Sequence, residues 1–401
     1  MTTPAQALAL ALQYHRAGDL PRAQQIYAQI LQADPANADA RYLLGSACHG
    51  LGRLDEAAAN FREALRLRPD FAQAHGHLGI TLAALGRPGE AVACFEQVVR
   101  LSPHSAEAHT NLGVALHDAG RPAEAAEACR RALRLRPDYP EAHFNLGNAL
   151  SEKDKLDEAI AEYRQALELK KDYPEAHCNL GNALAFKGQL AEAIAAYREA
   201  LRLKKDFPQA RNNLHNVERL SRLNDRLPRV LQGKDQPKDA AERLAFAELA
   251  QLPFCKQYAA AVRFYTGAFA EKPSLADDVH LQHRYNAACA AALAGCGQGR
   301  DGQQTDDKER VRLRRQALEW LRADLAAWGR VNKADKARPL IAQHLQRWLA
   351  DTDFDGVRRS EALDRLPEAE RQAWRQLWAD VAALLARTQA PAAPKTKPDS
   401  K

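Results

Sequence analysis

Seven asparagines carry the most legible chemistry in this chain. Asn111, Asn145, Asn179 and Asn213 recur thirty-four residues apart, and Asn148, Asn182 and Asn216 each follow one of them by three. A carboxamide offers donors and an acceptor together. A rank of them on helices packed about 10 Å apart can pair with the backbone of an extended peptide without reading its side chains. The alternative is a set of solvated or capping amides.

Other constellations are poorer. Gly297-Gln298-Gly299-Arg300-Asp301-Gly302 fits G-x-G-x-x-G, but no strand precedes it, so it reads as a flexible loop and not a phosphate cradle. Asp351, Asp353, Asp355 and Gly356 open like a calcium loop, yet the twelfth position is Ala362, and Arg358 and Arg359 oppose a cation. His75, His109, His143 and His177 stand one period apart, too far to share an ion with bonds of about 2 Å, and read as packed or solvated histidines. His280 and His283 lack a third ligand nearby. With no nucleophile elbow, no H-E-x-x-H and no phosphate loop on a strand, no catalytic residue, metal or cofactor is expected.

The asparagines need elements that hold them in register, and a period of 34 starting at Pro4, Ala38, Ala72, Ala106, Pro140 and Pro174 supplies them. Column seven is leucine in all six repeats. Column eight reads Ala11, Gly45, Gly79, Gly113, Gly147, Gly181, where a missing side chain admits a second helix. Column 20 is alanine throughout, and column 24 is large (Tyr27, Phe61, Phe95, Tyr163, Tyr197) except at Cys129. Gly18, Gly52, Gly86, Gly120 and Gly188 fall at column 15, where a first helix must end, with Asp154 in the fifth repeat. Pro35, Pro69, Pro103 and Pro137 close the second helix.

These columns resemble the tetratricopeptide-repeat family over residues 4–222, with the tryptophan of column four replaced by Arg41, His75, His109, His143 and His177. The resemblance implies an all-α, right-handed solenoid of six helix-turn-helix repeats over 4–207, with a capping helix over 208–222. It further implies that columns 2, 5, 6, 9, 12 and 13 of the first helices line a concave groove for extended peptides or partner helices. Asn111, Asn145, Asn179 and Asn213 then fall at column six and Asn148, Asn182 and Asn216 at column nine. Since column six faces the groove, removing its amides is expected to leave stability unchanged. Glu107, Glu141 and Glu175 at column two are expected to repel acidic partner tails. The ladder is also similar to the repeats of O-linked N-acetylglucosaminyltransferases, which use such asparagines on substrate backbones. The residues after 222 show no strand-helix alternation, so that activity does not carry over.

From 223 to 387 the period loosens into a helical region with two degenerate repeats. Tyr258, Ala260, Phe264 and Gly267 imitate a second helix, and Tyr285-Asn286-Ala287-Ala288 a first helix before a glycine-rich insertion at 295–305. Three amphipathic helices, near 306–329, 338–350 and 368–387, hold Trp320, Trp328, Trp348, Trp374 and Trp378. Parts of this region look like a C-terminal module of repeat-bearing bacterial serine/threonine kinases, but the glycine loop, H-R-D and D-F-G are missing. The tail 388–401, rich in proline, lysine and alanine, reads as disordered.

Composition fits this picture. The chain is 46% hydrophobic and 27% charged over 401 residues, which excludes a disordered or collagen-like polymer. Its net charge of +6 falls wholly after residue 222 and mixes with acidic groups, so nucleic acid is not expected as a partner. Seven scattered cysteines without a C-x-x-C pair point to a reducing cytoplasm, and the apolar stretch Ala7 to Leu12 is too short to span a membrane. The sequence reads as a bacterial scaffold with a protein or peptide partner, no membrane and no small-molecule ligand. The rival is an accessory or regulatory subunit of a kinase or glycosyltransferase-type enzyme whose chemistry is supplied elsewhere.

Overall fold

Each 34-residue period becomes two antiparallel helices because its breakers and its apolar stripe agree. The structure, a computed structural model, describes residues 4–151, 155–331 and 337–389. The fourth repeat shows the pattern, with helix Ala106–Asp118 packed on helix Pro122–Leu135. Ser105 caps the first by accepting the Ala108 N–H at 3.1 Å, and Pro122 opens the second where a missing N–H costs nothing. Between them Gly120 takes φ +73°, the left-handed conformation that ends a helix sharply. The other four column-15 glycines do the same; Asp154 lies outside the described residues.

The seam between paired helices is set by columns eight and 24. A Cβ on Gly147 would lie 2.7 Å from the Tyr163 ring, and one on Gly181 the same distance from Tyr197. Those rings are 2% exposed, and the column-20 alanines beside them are fully buried. A glycine facing a large ring is therefore what brings the helices to contact distance.

The chain divides into two compact units. The first comprises residues 1–185 and 191–214 and holds the repeats. The second comprises 186–190 and 215–401. The division falls inside helix Pro208–Leu231, which runs on past the expected end of the cap at 222. Among the described residues no strand occurs in either unit.

In the second unit helix Ala240–Gln251 pairs with Tyr258–Glu271, and His283–Gly295 with Asp307–Val331, consistent with two degenerate repeats. Helices Arg338–Ala350 and Glu368–Gln389 complete it. Four of the five tryptophans are buried and Trp320 partly so: Trp328, Trp348 and Trp374 are at most 2% exposed, and the Trp378 Nε1–H donates to the Val357 carbonyl at 2.9 Å. The insertion at 295–305 is pinned, contrary to the loop expected there. Its Arg300 N–H donates to the Lys256 carbonyl at 2.8 Å, and Asp301 accepts the Ala260 N–H at 2.8 Å. The last helix includes Thr388 and Gln389, Thr388 being buried, so the tail begins later than expected; 390–401 lie outside the described residues.

Candidate functional site

The amides do not stand as seven free groups. Asn148 Oδ1 accepts the Tyr163 hydroxyl at 2.8 Å and the Asn179 amide of the next repeat at 2.8 Å. Asn182 repeats the arrangement with Tyr197 and Asn213, both at 2.8 Å. Columns nine and six are therefore bridged across neighbouring first helices, and column 24 supplies a buried hydroxyl beneath each bridge. Asn145 and Asn111 lack this partner, because column nine one repeat earlier is Val114 and Ile80. Asn145 is half-buried and Asn111 exposed. Asn216 is exposed and falls in the second unit.

The bridges correct one expectation. Asn179 and Asn213 are part of the packing between repeats, so their loss costs stability as well as any contact to a ligand. The sequence held the signal, since an Asn at column nine followed by an Asn at column six of the next repeat occurs only at these two steps.

Toward the N-terminus column nine turns aliphatic in two successive repeats. Ile80 and Val114 at column nine are 48% and 39% exposed. A cleft of about 100 Å³ opens between helices Ala38–Gly50 and Ala72–Ala84, lined by Ser46, His49, His77 and Ile80. His77 stacks on Tyr42 with ring centroids 5.3 Å apart, and burial, then the nearby His49, holds its imidazole below the usual range. His77 is therefore neutral at pH 7, a flat, half-polar wall. The site as a whole grades from an aliphatic end to an amide end.

The column-two acids are matched. Glu107 pairs with Arg136 at 2.5 Å, Glu141 with Lys170 at 3.1 Å and Glu175 with Lys204 at 3.2 Å. Each of these cations also lies over the aromatic ring at column 34: Tyr139, Tyr173 and Phe207. Each acid thus stands beside a cation that offsets its charge.

The column-four histidines have a structural task. His75, His109, His143 and His177 place Nε2 at 2.9–3.1 Å from the carbonyls of Pro69, Pro103, Pro137 and Lys171, tying each first helix to the end of the preceding repeat. Arg211 makes the same contact to the Lys205 carbonyl at 2.8 Å. An N–H donor at this position is what stands in for the family's tryptophan.

The ionic decoys are spent on packing. Asp351 accepts the Tyr285 hydroxyl at 2.6 Å and the Asp353 N–H at 3.0 Å, while Asp355 pairs with Arg358 and Arg359. Cys289, Asp351 and Asp353 place one ligand atom each within 4.8 Å, a group the sequence did not suggest because Cys289 is distant in the chain. Burial raises the Cys289 thiol well above its ordinary pKa, which favours its protonated form. His280 lies edge-on to Trp328. The seven cysteines are free, six of them buried. No helix among the described residues is long and apolar enough to cross a membrane.

Comparison with known proteins bears on the repeats. Family models described as tetratricopeptide repeat match residues 8–72, 77–140 and 128–161, and those described as TPR repeat match 147–187 and 181–217. No curated protein matches in sequence. Among solved structures, MamA from Desulfovibrio magneticus RS-1 is similar at 24% identity, over 42% of this chain and 95% of that one, with a TM-score of 0.40. YrrB, a TPR protein with an unusual peptide-binding site, is similar at 22% identity, over 46% and 96%, with a TM-score of 0.38. PilW, a type IV pilus biogenesis factor, is similar at 21% identity, over 53% and 98%, with a TM-score of 0.48. The periodic columns, the helix pairs they fold into and the matched segments together make this chain a member of the tetratricopeptide-repeat family.

Proposed function

We propose that this protein is a scaffold that binds an extended polypeptide along columns six and nine of its repeats, a reading that goes with the cytoplasm the cysteine usage suggested. The observation that carries it is the row of accessible side chains on successive first helices, aliphatic at Ile80 and Val114 and carboxamide from Asn111 onward. A repeat pair cannot bury its apolar face alone, so stacking leaves such a row open along its length. The aliphatic end offers burial to one or two apolar side chains, and the amide end offers hydrogen bonds to main chain. Ile80, Val114 and the carboxamides of the row are groups that hold a partner by burial and hydrogen bonding.

A displayed library of random twelve-residue peptides, selected on the full chain, supplies ligands for the test. A photo-crosslinking residue placed at Val114 is expected to capture the selected peptides. The same residue at Leu169, 44% exposed on a second helix, is expected not to. Capture at Leu169 in place of Val114 would contradict the proposal.

A further inference from the structure

The bridged asparagines fix more than packing. Both lone pairs of Asn148 Oδ1 are filled, one by Tyr163 and one by Asn179, and Asn182 Oδ1 is filled the same way by Tyr197 and Asn213. Turning either amide over would set its Nδ2 donors against the Asn179 or Asn213 amide, donor against donor. Each therefore keeps Oδ1 in the bridge, and its Nδ2 group, with two N–H donors, takes no part in it. Tyr163 and Tyr197 are each 2% exposed, and burial raises both phenols above their usual pKa, so they remain donors throughout the ordinary pH range.

Asn148 and Asn182 are one repeat apart, about 10 Å by helix packing. A β-strand turns the same face every two residues, about 6.7 Å, so a carbonyl aimed at one amide has no counterpart at the other. A polyproline II helix repeats every three residues at about 3.1 Å each, or about 9.3 Å, and brings every third carbonyl round to the same side at nearly the spacing of the amides. Its backbone has no internal hydrogen bonds, and proline has no N–H. A proline-rich stretch is thus a row of acceptors facing a row of donors.

Building on the peptide-binding reading, the geometry points to a polyproline II segment as the ligand of the amide end, its carbonyls taken by Asn148 and Asn182, with Tyr163 and Tyr197 as the positioning residues that aim those amides. A β-conformation, whose like-facing carbonyls recur at about 6.7 Å, matches that spacing less well, and the aliphatic end is left to the flanking residues of the same peptide.

The test uses the ¹⁵N-labelled full chain and two capped nine-residue probes, one repeating Pro-Pro-Ala and one alternating Thr and Val. The Pro-Pro-Ala probe is expected to shift the side-chain amide signals of Asn148 and Asn182, and the Thr/Val probe to require at least about fivefold more peptide. Substituting Tyr163→Phe and Tyr197→Phe together is expected to weaken the Pro-Pro-Ala probe about tenfold, with both amide signals moving in the free protein. If that variant unfolds, Tyr163→Phe alone is expected to act at Asn148 only. Equal binding of the two probes, no shift with either, or unchanged affinity in the Phe variants overturns the inference. Library-selected peptides that crosslink at Val114 but bind without a polyproline segment would overturn it and leave the groove reading standing. Capture at Leu169 in place of Val114 would remove both.

Discussion

Asn148 and Asn179 lie in consecutive repeats, and the oxygen of the first accepts the amide of the second at 2.8 Å. The contact joins two functions that the sequence suggested separately, a polar lining and a packing interface. Because the Tyr163 hydroxyl shares that oxygen, the lining is braced from below by the same ring that Gly147 accommodates.

The first expected outcome concerns stability. Asn179→Ala and Asn213→Ala each remove a bridge, and each should lower the unfolding free energy by about 0.5–1.5 kcal/mol. Asn111→Ala and Asn145→Ala, which have no column-nine asparagine to meet, should leave it nearly unchanged. Urea midpoints of the four variants check the contrast; four equal values would show that the bridges contribute nothing.

The seam gives a second. Gly147→Ala and Gly181→Ala place a methyl group 2.7 Å from a buried ring. Each should cost about 1–3 kcal/mol by overpacking. Gly89→Ala, where a Cβ meets nothing within 4 Å, should cost little by comparison. Thermal unfolding of the three variants measures the difference.

How far the sequence reached depends on the kind of constraint. The repeats were legible because glycine at column 15 and glycine facing a ring are local necessities that recur, and Gly120 and Gly147 sit where the period puts them. The asparagine bridges were written in the sequence as well, but reading them requires the side chains of two repeats to be placed together. In the second unit the signal fails for a physical reason. Asp301 reaches Ala260, and Tyr285 reaches Asp351, across tens of residues with no period to announce the pairing. An apolar stripe carrying tryptophan likewise gives no sign whether it is core or surface, and here Trp328, Trp348 and Trp374 are core.

A third expected outcome is a dependence on pH. Asp324 is 2% exposed, 3.5 Å from Arg284, and burial, partly opposed by Arg284, raises its carboxyl from 3.8 to about 7. A carboxyl whose folded pKa lies above its unfolded value takes up a proton on folding, so its effect on stability is most favourable below the unfolded pKa and falls as pH rises through the folded one. Stability of the second unit should therefore decline between about pH 4 and about 7 on account of this group. Asp324→Asn should flatten that decline in urea titrations followed by tryptophan fluorescence. An unchanged slope would show that Asp324 ionises normally.

The most direct test of the account uses Asn111 and Asn145, the two column-six amides outside the bridges. The affinity of a library-selected peptide is measured by titration calorimetry for the parent chain and for the variant carrying Asn111→Ala and Asn145→Ala. Two hydrogen bonds to peptide backbone, lost without a change in folding, should weaken binding by about tenfold or more. Affinity within about twofold of the parent, with the variant fully folded, would contradict the claim that the carboxamide row holds the partner.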